Sequence, residues 1–425
     1  MTRSLILMMA AAALLPVAAI AEPSPHIVFV HGNGDDATKW LPVIWMFESN
    51  GYPASHLHAI RFTDPAARRD NTVSEPFRSS TTDQASELSA FVTRVLLDAK
   101  ASKVVLIGSS RGGLTIRNYL KNAGGAAVVS HAILCGTPNH GVFASDAGLD
   151  GEFNGRGHFL QQLNAGGSEV IGGVRFLTIR SDKLDKYAQP NVGYDSPELK
   201  GADNIVIPNL DHREVAFHPL AFAAMYRFLT EGGPPRVQTP TPQIAPAVSG
   251  LVTGYAGMTP TNRPLGGVRF RVYALQPESA EREGGAMLDL VTGPSGEWGP
   301  LTVDPRRTYE FVLEKDGRTV TYFMSGLLRS TPLLNFRFAV PAPGDKGNLL
   351  IHRPQGYLSK GRDVLTIDGV EVDSLPPGVP TRDSVSVTIP TADPKGVSVK
   401  LRDETVRVRP ATAPNELNIV QLLWD

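Results

Sequence analysis

The stretch Lys103-Val-Val-Leu-Ile-Gly-Ser-Ser-Arg-Gly-Gly113 decides how this chain reads. Lys103 to Ile107 form an apolar run of strand length, and Leu114, Ile116, Tyr119 and Leu120 give the next segment a helical apolar face. Between them, Gly108-Ser109-Ser110-Arg111-Gly112 fits G-x-S-x-G. At a strand-to-helix turn such glycines leave room for a crowded backbone, while the central serine is held strained and exposed. Ser110, rather than Ser109, is therefore the candidate nucleophile. Glycine and serine also build ordinary turns, so the motif needs partners elsewhere in the chain.

Working outward, strand and helix signals alternate from Glu22 to about Glu231. His26-Ile-Val-Phe-Val30 is an apolar strand followed by the turn His31-Gly32-Asn33-Gly34. Thr81 and Gln84 have capping-box spacing, and Leu88, Phe91, Val92, Val95 and Leu96 recur at helical intervals. Val128–Leu134, Val174–Ile179 and Asn204–Pro208 read as further strands, and His218–Leu229 as a closing helix. Alternation of this kind predicts a mostly parallel sheet with helices on both faces, with active groups at the carboxyl ends of the strands. Residues 232–247 are proline-dense and read as a linker. Beyond it, runs such as Val268–Ala274, Tyr309–Leu313, Asn335–Val340, Ser384–Ile389 and Thr405–Val408 predict an all-β domain over 248–425, with room for two subdomains.

A serine hydroxyl needs a base to take its proton and an acid to orient that base. His212, in Asn209-Leu-Asp-His-Arg-Glu-Val-Ala-Phe-His-Pro219, follows the last strand of the first domain and is the candidate base. His218, flanked by Phe217 and Pro219, looks instead like the start of the closing helix, and Asp211 is a poor orienter because adjacent side chains on an extended chain diverge. Both Asp185 and Asp182 lie in the loop after Val174–Ile179; Asp185 is the first choice of acid and Asp182 the alternative. The oxyanion needs backbone donors, for which the amides of Arg111 and Asn33 are the candidates.

The 425 residues carry 41 basic and 42 acidic side chains, so no global charge steers the chain to nucleic acid or an anionic membrane. Met1 to Ala21, with Arg3, an apolar run and Ala19-Ile20-Ala21, is expected to be a cleaved signal peptide, giving a secreted or periplasmic protein without an integral membrane segment. Cys135 is the single cysteine, which excludes an intrachain disulfide. Neither CxxC nor HExxH occurs, so no metal and no other cofactor is called for.

Together HGNG, GSSRGG, Gly136-Thr-Pro-Asn-His-Gly141 and a late histidine before a terminal helix resemble the α/β-hydrolase lipases and carboxylesterases. The resemblance is strongest to an archaeal type that joins a hydrolase domain to a C-terminal β-barrel domain, and it runs through VFVHG, ESNGYPA and AFAAMYRFL. That type takes its acid after the strand following the nucleophile helix, where this chain has Cys135; the later loop with Asp185 and Asp182 is similar to the acid loop of small bacterial lipases. Arg111, beside the nucleophile, argues against a strictly apolar acyl pocket. Residues 141–163, with Phe143, Phe153, Phe159, Leu160 and Leu163, read either as a cap over the cleft or as a packed surface insertion. The resemblance implies a secreted serine esterase or lipase with an ester substrate. A polyester or oligoester hydrolase using the same triad is the alternative, and a catalytically dead hydrolase fold serving as a binding module is the reading from another class.

Overall fold

The computed structural model describes residues 24–231, 233–339, 348–390 and 396–423, so the signal-peptide segment expected at 1–21 lies outside the described residues. Six parallel strands form the first sheet: β1 (His26–Val30), β2 (Leu57–Ala59), β3 (Val104–Ser109), β4 (Val129–Cys135), β5 (Arg175–Arg180) and β6 (Asp203–Val206), in the spatial order β2-β1-β3-β4-β5-β6. Alternation along each strand divides its side chains between two cores. Ile27, Phe29, Val105 and Ile107 face one side, against α1 (Leu41–Ser49), α5 (Glu214–Phe217) and α6 (Pro219–Thr230). Val28, Val30, Leu106 and Leu134 face the other, against α2 (Thr81–Ala99) and α3 (Arg111–Asn122). A shorter helix, α4 (His158–Asn164), packs Leu160 and Leu163 on Leu114. This is an α/β-hydrolase architecture with covered faces.

Two sequence readings need correction. The capping box of α2 is formed one residue earlier than the spacing of Thr81 and Gln84 suggested: Ser80 Oγ accepts from Asp83 N at 3.1 Å, and Asp83 Oδ2 accepts from Ser80 N at 2.8 Å. Glutamine 84 is buried inside the helix face instead, where its Oε1 accepts from Thr115 Oγ1. Strand β2 was not anticipated, because three residues are too short to establish a period.

The second half is β-sheet. Its seven-stranded sheet runs, in spatial order, through Leu288–Val291, Arg269–Ala274, Tyr309–Lys315, Arg318–Met324, Glu416–Gln421, Leu349–His352 and Ser384–Val387. A four-stranded sheet is built around Ala247–Ala256, and another joins Leu365–Ile367, Val370–Glu371, Val397–Leu401 and Glu404–Val408. The last of these contributes to a core of its own, with Leu365, Val399 and Val406. By contrast, Phe270, Trp298, Phe311 and Phe336 belong to the same apolar cluster as Phe29, Trp40, Phe47 and Phe222 of the hydrolase part. The proline-dense stretch is pinned down as well: Asn50 bonds Arg236 N and Val237 O, and Ser49 Oγ accepts from Thr241 N. Shared apolar burial of this kind holds the two halves as one packed unit.

Candidate active site

Strand β3 ends and α3 begins at Ser110, whose φ of 53° and ψ of −123° put a non-glycine residue in a strained backbone region. Strain of this kind costs on the order of 1–3 kcal/mol and has to be held by its surroundings. Here Ser110 N donates to Cys135 O at 2.8 Å and Gly113 N donates to Ser110 O at 3.0 Å. Glycine is required at 112 because a Cβ there would stand 2.4 Å from Val30 O. The turn thus lifts the serine side chain above the carboxyl end of the sheet.

His212 reaches that hydroxyl from the loop after β6. Its Nε2 lies 2.9 Å from Ser110 Oγ, and its Nδ1 lies 2.9 and 3.0 Å from the two carboxylate oxygens of Asp185. An ionised carboxylate only accepts, so Nδ1 carries the ring proton and the Nε2 lone pair faces the serine hydroxyl. Asp185 and His212 are both buried, and Asp185 Oδ1 also accepts from Tyr187 N at 2.8 Å. The Tyr187 ring packs nearly perpendicular to the imidazole, with 4.6 Å between ring centres. The loops bearing the acid and the base are tied together by Ser181 Oγ, which donates to Leu210 O.

Asp182, the alternative acid, stands apart from this line. It accepts from Ser181 Oγ at 3.1 Å and from Asn209 N at 3.3 Å. Partial burial alone would raise its pKa, but backbone donors from Lys183 and Asn209 outweigh that and hold it below the usual range. His218 caps α6, its Nδ1 accepting from Leu220 N.

On the oxyanion side, Arg111 opens α3, where a helix leaves its first N–H groups without intrahelical partners. Asn33 lines the same cavity as Ser110, and its Oδ1 anchors the loop by accepting from Ala67 N at 2.8 Å. His31 stiffens that loop from below: Nδ1 is 3.0 Å from Gly32 O, and Nε2 accepts from Phe62 N at 3.2 Å. Burial pushes its pKa down to about 4, consistent with the neutral ring these bonds require.

Arg111 corrects the expectation drawn from its charge. The side chain is fully buried and points away from the cavity, bidentate to Glu152 at 2.8–3.0 Å and bonded to Pro65 O, Ser79 Oγ and Ser79 O. It fastens the 141–163 segment beneath the nucleophile. Of that segment, Val142, Phe143 and Phe153 line the cavity of about 220 Å³ that holds Ser110 and His212, and with Pro138 they make an apolar wall.

The opposite wall carries residues that sequence reasoning missed. Tyr357, from the β half, lines the cavity, and its ring lies nearly parallel to that of His212 with 6.5 Å between ring centres. Its backbone N donates to Asp211 Oδ2 at 2.7 Å. Asp211 and Glu214 are buried on either side of this contact, with Arg353 Nη2 2.6 Å from Glu214 Oε1 and Arg362 reaching both carboxylates. Burial and the charge of Glu214 raise Asp211 to about 6; for Glu214 burial is outweighed by Arg353 and Arg362, which bring it down to about 2. No local pattern near residue 357 announces its place in the site; only the docking of the two halves creates it.

Among the described residues no cluster of histidine, cysteine and carboxylate side chains is arranged to hold a metal, and no helix is long and apolar enough to cross a membrane.

Comparison with known proteins adds two family matches. Residues 26–168 match the palmitoyl protein thioesterase family, and residues 247–341 match the lipase C-terminal domain. Among solved structures, Aspergillus fumigatus lipase B is similar at 17% identity and a TM-score of 0.39, over 49% of this chain and 53% of that one. The mature form of Bacillus licheniformis lipase BlEst2 aligns at 20% identity and a TM-score of 0.37, over 50% of this chain and 95% of that one. Legionella pneumophila phospholipase PlaB aligns at 14% identity and a TM-score of 0.34, over 73% and 93% respectively. The chain thus spans about half the length of the Aspergillus protein. The thioesterase-family match falls in the half that carries Ser110, and the lipase C-terminal domain match falls in the β half.

Proposed function

We propose that this chain is an exported serine hydrolase that cleaves carboxylic esters through an acyl-enzyme at Ser110. The observation that carries the reading is the continuous line from Ser110 Oγ through His212 to Asp185, with 2.9 Å at each junction. Ser110 Oγ attacks the ester carbonyl as Nε2 of His212 takes its proton, and the oxyanion is received by the amides of Arg111 and Asn33. Collapse of the tetrahedral intermediate breaks the bond to the alcohol, which leaves with the proton from Nε2. Water then attacks the acyl-enzyme, gives a proton to Nε2, and the acid departs as Ser110 regains its hydrogen. Asp185 orients the ring and stabilises the imidazolium throughout. Export to the periplasm or medium rests on the leader-like residues 1–21.

A second reading is favoured by the match of residues 26–168 to the thioesterase family: the same acyl-enzyme formed from a thioester, with a thiol as leaving group. Both are tested on p-nitrophenyl esters from acetate to palmitate and on a palmitoyl thioester, using the mature chain and Ser110→Ala. Loss of the nucleophile is expected to reduce kcat by a factor on the order of 10³ or more. Preference for the thioester over the matched ester would move the second reading forward, and a parent inert on all substrates would overturn both.

A further inference from the structure

The segment 141–163, which walls the cavity at Ser110, is laced to itself and to the domain beneath it. Val142 N donates to Phe153 O at 2.9 Å, and Gly155 N donates to Phe143 O at 2.7 Å, so its two arms hold each other. Buried Asn154 ties the turn between them, accepting from Ser145 N at 3.0 Å and donating to Ser145 O at 2.8 Å and Ala147 O at 3.1 Å. The arms are in close contact, since a Cβ on Gly155 would stand 2.4 Å from His140 O. From outside, Asn71 N donates to Asp150 O at 3.0 Å, and the buried Arg111–Glu152 pair holds the residue next to Phe153. Swinging the segment outward would leave the Arg111 guanidinium buried without its carboxylate, which is costly. Phe153 itself packs on Leu114, Leu160 and Leu163.

A fixed wall sets a fixed volume. The cavity measures about 220 Å³. An apolar cavity of about 150 Å³ takes up benzene, and on that scale this one takes roughly nine non-hydrogen atoms, those of the reacting ester included. The alcohol leaves after the first step, whereas the acyl group stays joined to Ser110 until water releases it, so the acyl group is what this space must hold. A palmitoyl chain is far too long for it. The adjoining cavity of about 510 Å³, which shares Asn33, Asp35 and Arg213, is a charged space rather than an apolar extension: Asp35, Asp36 and Asp383 line it together with Lys39, Arg78, Arg213 and Arg337. Methylenes lying there would displace water from charged groups.

We infer that the 141–163 segment is a fixed cap and that Phe153, held in it, closes the acyl pocket, limiting the enzyme to esters of short acids of about four to six carbons. The inference rests on the ester-hydrolase reading and narrows its substrate class on the acyl side. It also makes Phe153 a specificity-determining residue, placed by Arg111 through Glu152.

The test is a series of p-nitrophenyl esters from acetate to decanoate, each below its solubility limit, hydrolysed by the mature chain. Each methylene that finds room should raise kcat/KM by roughly fourfold, up to a maximum at butyrate or hexanoate. Beyond the maximum the wall should reject further methylenes, leaving decanoate roughly tenfold or more below the best ester. Phe153→Ala should raise the ratio of decanoate to butyrate by roughly tenfold. Phe143→Ala, which truncates a half-exposed ring of the same wall and so spares the core, should move that ratio in the same direction and serves where Phe153→Ala fails to fold. As a check on the fixed cap that needs no variant, the rate on tributyrin should pass its solubility limit without a step. A parent whose kcat/KM is still rising at decanoate, a ratio unmoved in the folded variants, or a step in rate on emulsified tributyrin overturns the inference alone. Inactivity of the parent on every ester overturns the ester-hydrolase reading and the inference with it.

Discussion

Arg111 and Arg353 are both buried arginines beside carboxylates, yet they hold different things. Arg111 adjoins Ser110 in sequence, and its partner Glu152 lies in the same domain, so the support beneath the nucleophile is contained within one folding unit. Arg353 comes from the β half and closes on Glu214, two residues beyond His212, while Tyr357 N binds Asp211, one residue before it. The base loop is therefore held from both halves. Ser110 is placed by a local turn, and His212 is held in part by docking.

The largest effect would come from the acid. Asp185→Asn leaves a side chain that can donate to Nδ1 and so favours the wrong ring tautomer, and kcat should fall by a factor on the order of 10³ to 10⁴. Asp182→Asn should change kcat by less than about threefold, because Asp182 bonds Ser181 and Asn209 rather than His212. Equal losses in the two variants, measured on one p-nitrophenyl ester, would show that the orienting acid has been misassigned.

Next come the two clamps themselves. Arg111→Met strands buried Glu152 and should cost about 3–5 kcal/mol in urea unfolding, whereas Arg353→Met leaves Glu214 with Arg362 and Arg402 and should cost less. Their kinetics separate them. Loosening the Glu152 segment disturbs the wall formed by Val142, Phe143 and Phe153, so Arg111→Met should act mainly on KM. Loosening the Asp211–Glu214 loop disturbs His212, so Arg353→Met should act mainly on kcat. The same kinetic signature from both would dissolve the contrast.

The smallest effect is a pH dependence from His31. Its folded pKa, about 4, lies below the ordinary value of 6.5, so between those values the unfolded chain binds the proton first. Its contribution to stability is complete above pH 6.5 and is lost as the pH falls toward 4, at roughly 1.4 kcal/mol per pH unit. His58 and His352 are lowered to about 4 as well, so His31→Gln should make the slope between pH 7 and pH 5 in urea unfolding shallower without abolishing it.

Much of the hydrolase half was legible in the sequence because its signals are local. The run His26–Val30 is apolar at every position after the first, and it forms β1 with those boundaries. Gly108 to Gly112 specify their turn through steric exclusion, which acts between neighbours in the chain. The capping box slipped by one residue because Ser80 and Thr81 are both competent caps, and the choice between them depends on how α2 meets the loop before it. The character of the Arg111 side chain was misjudged for a related reason. A guanidinium beside a serine reads as a polar group in the pocket until Glu152, Pro65 and Ser79 are seen to take its donors.

By itself, then, the sequence determined the strand-turn-helix that strains Ser110, the alternating elements of a parallel sheet, and the late histidine and the short loop from which an acid would come. Tertiary structure decided which aspartate meets His212, where Arg111 points, and that Tyr357 lines the cavity that holds Ser110 although more than 200 residues separate the two along the chain. Backbone preference and hydrophobic period act over a few residues and leave their mark in local order, whereas burial and charge pairing act between surfaces that meet only after the chain has folded.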